Sequence, residues 1–155
     1  MTQFTTEAKA RLAEYLASHK LSEGLGNEES ACSIAAVNLA ITGELTDDIP
    51  KCMSEVIGTA TIVLQDAMPE DMRNSDRYKA WLPTAAGTGR DHEQERLDIL
   101  MDWMWTVVLP QLQPLADKKG FGKLWRTMCE EKTAPSAAAS RAAAYADAVY
   151  AASYV

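Results

Sequence analysis

Histidine, phenylalanine and cysteine are scarce in this chain of 155 residues, which holds two, two and three of them. Two histidines leave little from which to build a dedicated zinc site. The cysteines, Cys32, Cys52 and Cys129, are odd in number and follow no zinc-knuckle or Cys-x-x-Cys spacing, so no disulfide framework is expected. No apolar run approaches the ~18 residues of a membrane span. The opening Met1-Thr-Gln-Phe-Thr-Thr-Glu7 has no basic stretch leading into an apolar one, so a secretory signal is not expected either. We therefore expect a reduced, cytoplasmic protein. A basic tract is also missing: 22 acidic against 15 basic side chains give a formal charge of -7. Direct nucleic-acid binding is disfavoured on that ground. Long linkers, internal repeats of 20 to 50 residues and convincing strand patterns are absent as well.

What is present is helical periodicity. With 47% apolar and 24% charged residues, the chain has the composition of a globular domain, and its length suits one domain over 1–155. Ala8, Leu12, Tyr15 and Leu16 make one stripe over residues 6–19. Gly24 and Gly26 then permit positive φ, and Asn27 reads as the cap of a helix over 28–42, with Glu28 and Glu29 in its first turn and Gly43 at its end. Ser54 caps a helix over 55–68, and Ser75 one that Pro83 stops. The segment 92–112, opened by Asp91 and Gln94 as a capping pair, is the most hydrophobic; Pro110 and Pro114 kink or end it. A shorter helix follows over 123–131. An Ala-rich helix over 134–155 closes the chain, with Tyr145, Val149 and Ala152 on one stripe and Tyr150 and Tyr154 on a second. The expected architecture is an all-α, single-domain bundle of six to eight helices, with 28–42, 55–68 and 92–112 at its centre.

Four constellations carry potential chemistry. The loop Gly87-Thr-Gly89-Arg90 precedes a helix and could hold an anion on backbone N–H groups. It lacks the full phosphate-loop pattern and a preceding strand, so a plain helix-entry turn is the favoured reading. Cys32 lies near a helix N-terminus, where the dipole lowers a thiol pKa, and His92 could serve it as a base. The spacing does not demand that the two meet. Asp91, His92 and Glu95 could contribute to a metal site, but capping alone explains such residues at a helix start. Trp103 and Trp105 lie about 200° apart on a helix, so either that helix is buried all round or one indole, taken as Trp105, is offered to a partner. Charge is uneven: residues 1–50 carry a net -5, 51–100 carry -3 and 101–155 carry +1. Glu28, Glu29, Glu44, Asp47, Asp48, Glu70 and Asp71 could form a solvated face or a docking face for a basic partner.

The segments Glu29-Ser-Ala-Cys-Ser-Ile-Ala-Ala-Val-Asn38 and Gln65-Asp-Ala-Met-Pro-Glu-Asp-Met-Arg-Asn74, with the Ala-rich tail, resemble a group of bacterial and phage proteins of uncharacterised activity. The tail is also similar to that of helical immunity proteins from toxin loci. Neither resemblance implies a catalytic residue or a cofactor. The reading favoured from the sequence is a non-enzymatic, acidic interaction protein that binds and modulates or inhibits another protein. Immunity or phage counter-defence, such as an anti-CRISPR-like inhibitor, is its specific form. Its expected contacts are Glu28, Glu29, Asp47, Asp48, Trp105, Tyr150 and Tyr154, with no cofactor and no membrane. The alternatives are a small enzyme or ligand binder using Cys32 with His92 or the Gly87–Arg90 loop, and a homo-oligomer built through the C-terminal helix.

Overall fold

The computed structural model of the chain describes residues 4–152, with side chains through residue 146. The protein is all-α. Among the described residues seven helices reach ten residues or more: α1 (Thr6–Ser18), α2 (Ser33–Thr42), α3 (Glu55–Ala67), α5 (Asp76–Ala86), α6 (Glu93–Trp103), α9 (Gly122–Glu131) and α10 (Ala134–Ala152). The shorter α4 (Glu70–Arg73), α7 (Leu109–Gln111) and α8 (Gln113–Lys118) lie between them, and a π turn over Met104–Val108 joins α6 to α7. The only strands among the described residues are β1 (Gly26–Asn27) and β2 (Ser30–Ala31), an antiparallel pair. The chain divides into two compact units, residues 1–96 and 97–155.

In the first unit α2 is the central element. Seven of its ten residues are buried, and it packs against α1, α3 and α5. Leu12, Leu16, Ile34, Val37, Met53 and Leu82 form the core with the alanines of α2. Helix ends are tied across the unit. Lys79 Nζ donates to the Leu16 and His19 carbonyls, each at 2.8 Å, at the negative end of α1. Arg11 Nε donates to the Ala40 carbonyl at 2.7 Å, and the buried Arg73 donates through Nη1 to the Gln65 carbonyl near the end of α3.

Two expected boundaries are corrected. Helix α2 starts at Ser33, not residue 28, because Asn27 is used in a turn: its Oδ1 accepts from the Glu29 and Ser30 N–H groups at 3.0 Å. Gly26, at φ 73°, pairs with Ala31, and a Cβ there would run into the Ser30 carbonyl, so the hairpin needs glycine. Pro83 does not stop α5 but sits inside it. One ladder hydrogen bond is lost, while Leu82, Ala85 and Ala86 around it are buried. The caps at Ser54, Ser75 and Gly43 (φ 79°) are as expected.

In the second unit α9 packs against α7, α8 and α10. Trp125 Nε1 donates to the Leu109 carbonyl at 2.8 Å, and Gln113 Nε2 to the Gly122 carbonyl at 3.0 Å. The Ala-rich α10 packs against α9, where the buried Ser140 donates through Oγ to the Leu124 carbonyl at 2.8 Å, while the buried Ser136 bonds to Thr133 just before α10. Of the expected stripe, Tyr145 is 66% exposed. Its partners Val149 and Ala152, and the interaction candidates Tyr150 and Tyr154, fall outside the described side chains.

Gly58 offers a test of packing in α3, since a Cβ there would lie 2.6 Å from Ile49 Cγ2. Alanine in a helix interior usually gains about 1 kcal/mol over glycine. Here overpacking against the branched Ile49 costs about 1–3 kcal/mol and wins. Gly58→Ala should lower the chemical-unfolding midpoint; a raised midpoint would show that α3 can move off Ile49.

Candidate interaction surface

The thiol comes first. Cys32 is the N-cap of α2, as its position near a helix start suggested, and its Sγ accepts from the Ala35 N–H at 3.3 Å. It is only 2% exposed. Burial pushes its pKa up, against the Ala35 and Ile34 amides, and the Asp47 carboxylate acts in the same direction as burial. The expected lowering by the helix dipole is therefore overturned by desolvation. His92 is exposed, with its Nδ1 3.2 Å from Glu95 Oε2, and no hydrogen bond joins it to Cys32. Burial also raises Cys52 and Cys129. No group of three metal-ligating side chains is assembled among the described residues, so Asp91, His92 and Glu95 do not converge with a further ligand.

The Gly87–Arg90 loop uses its polar groups internally. Gly89 N–H donates to the Cys52 carbonyl at 2.8 Å, and Thr88 Oγ1 accepts from Ser54 N–H at 3.0 Å. Arg90 donates to the Met53 and Ile49 carbonyls and pairs with Glu55. Arg96 donates to the Thr88 and Gly89 carbonyls at 2.7 and 2.9 Å. The anion at this locus comes from the chain itself: Glu93 Oε2 accepts from Ser54 Oγ and from Val56 N–H in the first turn of α3, both at 3.0 Å. Desolvation works against its charge, but those hydrogen bonds and the Arg96 guanidinium hold the Glu93 carboxyl below its ordinary range.

The acidic positions are exposed but dispersed over different local structures. Glu28 and Glu29 are the apex of the β1–β2 hairpin, and Asp47 and Asp48 lie in the loop after α2. Glu70 is paired with Lys20 at 2.7 Å, which holds its carboxyl low. Asn38 secures that loop by donating to the Thr46 and Asp48 carbonyls at 2.8 and 2.9 Å.

The largest departure from expectation is the segment thought to be central, 92–112. No residue of α6, the π turn or α7 is buried. Trp105, the expected anchor, is half-buried, whereas Trp103 is 46% exposed. Trp103 lies on a ridge with Ile99, 71% exposed, and Val107, 41% exposed, at spacings of four. Four residues of α-helix overshoot one turn by about 40°, so such a ridge normally drifts around the axis. The π turn starting at Met104 takes more residues per turn and reverses that drift, with Leu109 N–H bonded back to Met104 O. Ile99, Trp103 and Val107 therefore stay in line. Asp102, also exposed, is on the same helix. The i, i+4, i+8 spacing was the sequence signal for this surface. It was masked by the expectation that so apolar a helix must be buried.

Compared with known proteins, the chain matches no protein-family model, no curated protein and no solved structure.

Two measurements follow. Glu93→Gln should destabilise the protein by about 1 kcal/mol at neutral pH. A carboxyl held low when folded contributes stability above its unfolded pKa, and that contribution is lost as pH falls through the folded value. The gap between wild type and variant should therefore close below about pH 4; a gap independent of pH would remove the charge from the account. Thiol labelling of the folded protein at pH 7 should be slow at Cys32 and Cys52 and reach its full rate only on unfolding. Rapid selective labelling of Cys32 would restore the thiol-site reading.

Proposed function

We propose that the protein acts without catalysis by binding another protein and modulating or inhibiting it, and that the α6–π ridge is its contact surface. The observation that supports this reading is the exposure of Ile99, Trp103 and Val107 in one line on a helix with no buried residue. A helix apolar on more than one side is ordinarily covered, and contiguous exposed apolar surface marks interaction sites. Tryptophan is among the residues that most often anchor an interface. The acidic loop and hairpin add charge that would speed encounter with a basic partner. An inhibitory role in immunity or phage counter-defence is the specific form of this reading, and the sequence resemblance is its sole support. The enzyme reading is less favoured, since Cys32 is buried with its pKa pushed up by desolvation, and the Gly89 N–H and the Arg90 guanidinium are bonded within the chain. Assembly through the C-terminal helix is less favoured because α10 is already packed with α9, with Ser140 bonded to the Leu124 carbonyl.

Affinity capture from the source lysate tests the proposal, using wild type, Ile99→Asp with Trp103→Ala, and Asp47→Lys with Asp48→Lys as folded baits. A stoichiometric protein retained by wild type and lost with the ridge variant is expected. Loss with the acidic-loop variant alone would move the contact to residues 47–48. Wild-type bait that retains nothing would overturn the interaction reading.

A further inference from the structure

A cleft of about 290 Å³ lies between α1 and α2 in the first unit. Arg11, Glu14, Tyr15 and Ser18 of α1 line it with the capping His19, and Leu39 and Ala40 of α2 close the other side. Its two charges are held apart. Arg11 and Glu14 are exposed and three residues apart on one helix, a spacing at which opposite charges ordinarily pair. No ion pair joins them among the described residues, because the guanidinium is committed across the cleft. Arg11 Nε donates at 2.7 Å to the Ala40 carbonyl, one of the last four of α2. That bond fixes the guanidinium plane and leaves the Nη fork for a carboxylate. Glu7, a turn earlier, feels the same guanidinium, but its own amide and Thr5 do most to hold its carboxyl low, and it does not line the cleft.

The aromatic wall is fixed as well. Tyr15 and His19 stack with centroids 4.4 Å apart and planes 7° from parallel. Tyr15 Oη accepts from the Ala31 N–H at 2.8 Å. His19 Nδ1 donates to the Tyr15 carbonyl at 3.1 Å and lies 2.8 Å from Ser18 Oγ. Both rings and Leu39 are half-buried. We propose that this cleft binds a free aromatic α-amino acid, its carboxylate on the Arg11 fork, its ammonium on Glu14 and its ring against the Tyr15–His19 pair.

The charge arrangement selects this class. A bare carboxylate would leave Glu14 facing a like charge, and a bare amine would do the same to Arg11. Only a zwitterion satisfies both, and on adjacent turns the two side chains start about 5–6 Å apart, within reach of groups borne on one carbon. The volume is at the small end for ligand clefts, which suits a single amino acid. Size alone does not make the site. A cleft of about 270 Å³ between α1 and α5 has its lysine, Lys79, already spent on the Leu16 and His19 carbonyls.

The test titrates the full chain by NMR with L-phenylalanine, 3-phenylpropionate and phenethylamine. The three probes share a ring; the second lacks the ammonium and the third the carboxylate. Phenylalanine should shift the Tyr15, His19 and Leu39 resonances to saturation. The other two should bind at least about tenfold more weakly. Glu14→Gln should weaken phenylalanine by about tenfold and strengthen 3-phenylpropionate, because a repulsion has gone. Arg11→Gln should weaken phenylalanine and strengthen phenethylamine. A damaged fold would weaken all three probes together, so opposite movements separate recognition from stability.

Absence of shifts with phenylalanine and with tryptophan at about 10 mM would overturn the site, as would shifts centred outside the cleft. Equal binding of 3-phenylpropionate would overturn the role of Glu14, and equal binding of phenethylamine that of Arg11. Parallel loss of every probe in both variants would overturn the zwitterion recognition. The cleft is independent of the α6–π ridge, so the interaction reading stands or falls on its own capture experiment.

Discussion

Helix α2 is confined on nearly all sides, and the first unit is arranged around that confinement. Its alanines let α1, α3 and α5 approach, and seven buried residues in ten leave its polar backbone ends without water. Those ends must then be satisfied from within. Cys32 Sγ takes the Ala35 N–H, Gln65 Oε1 takes the Ser33 N–H at 2.7 Å, and Gly43 closes the other end in the left-handed region. The one buried amide on the helix, Asn38, spends both of its described hydrogen bonds on the loop that carries Asp47 and Asp48. A packing demand in the core thus sets the shape of an exposed acidic loop.

Much of this fold is legible locally. The stripe of α1, the serine caps of α3 and α5, and the glycine ending α2 are decided by side chains within a turn of the element they define. The errors fall where one local rule has two outcomes. Asn27 followed by two glutamates reads as a helix start, but asparagine serves equally well in a turn. The choice is made by the pairing of Gly26 with Ala31. Pro83 is a reliable stop when nothing else holds the helix, whereas here the buried Leu82, Ala85 and Ala86 carry it through.

The site was harder to read for a different reason. Glu93 resembles any acidic residue in a first turn, and its service to the first turn of α3 depends on a contact 37 residues away in sequence. Cys32 was correctly placed at a helix start, but the sign of its pKa shift depends on burial, which no local pattern reveals. Hydrophobicity misleads most at α6. An apolar helix is usually a core helix, so the sequence reading places 92–112 at the centre with Trp105 as the indole offered to a partner, whereas Trp103 is the more exposed of the two.

The π turn has a consequence for how this surface can be inherited. A π turn holds one residue more than an α turn, so it is equivalent to a single-codon insertion in an otherwise regular helix. Removing any one residue of 104–108 would leave composition almost untouched and yield an ordinary α-helix. The side chains beyond it would keep their direction, since five steps around a π turn and four around an α turn cover nearly the same angle. The extra residue is thus absorbed within the turn and not passed down the helix. Lineages that retain the surface can therefore lose one residue at this turn without turning the helix that follows it.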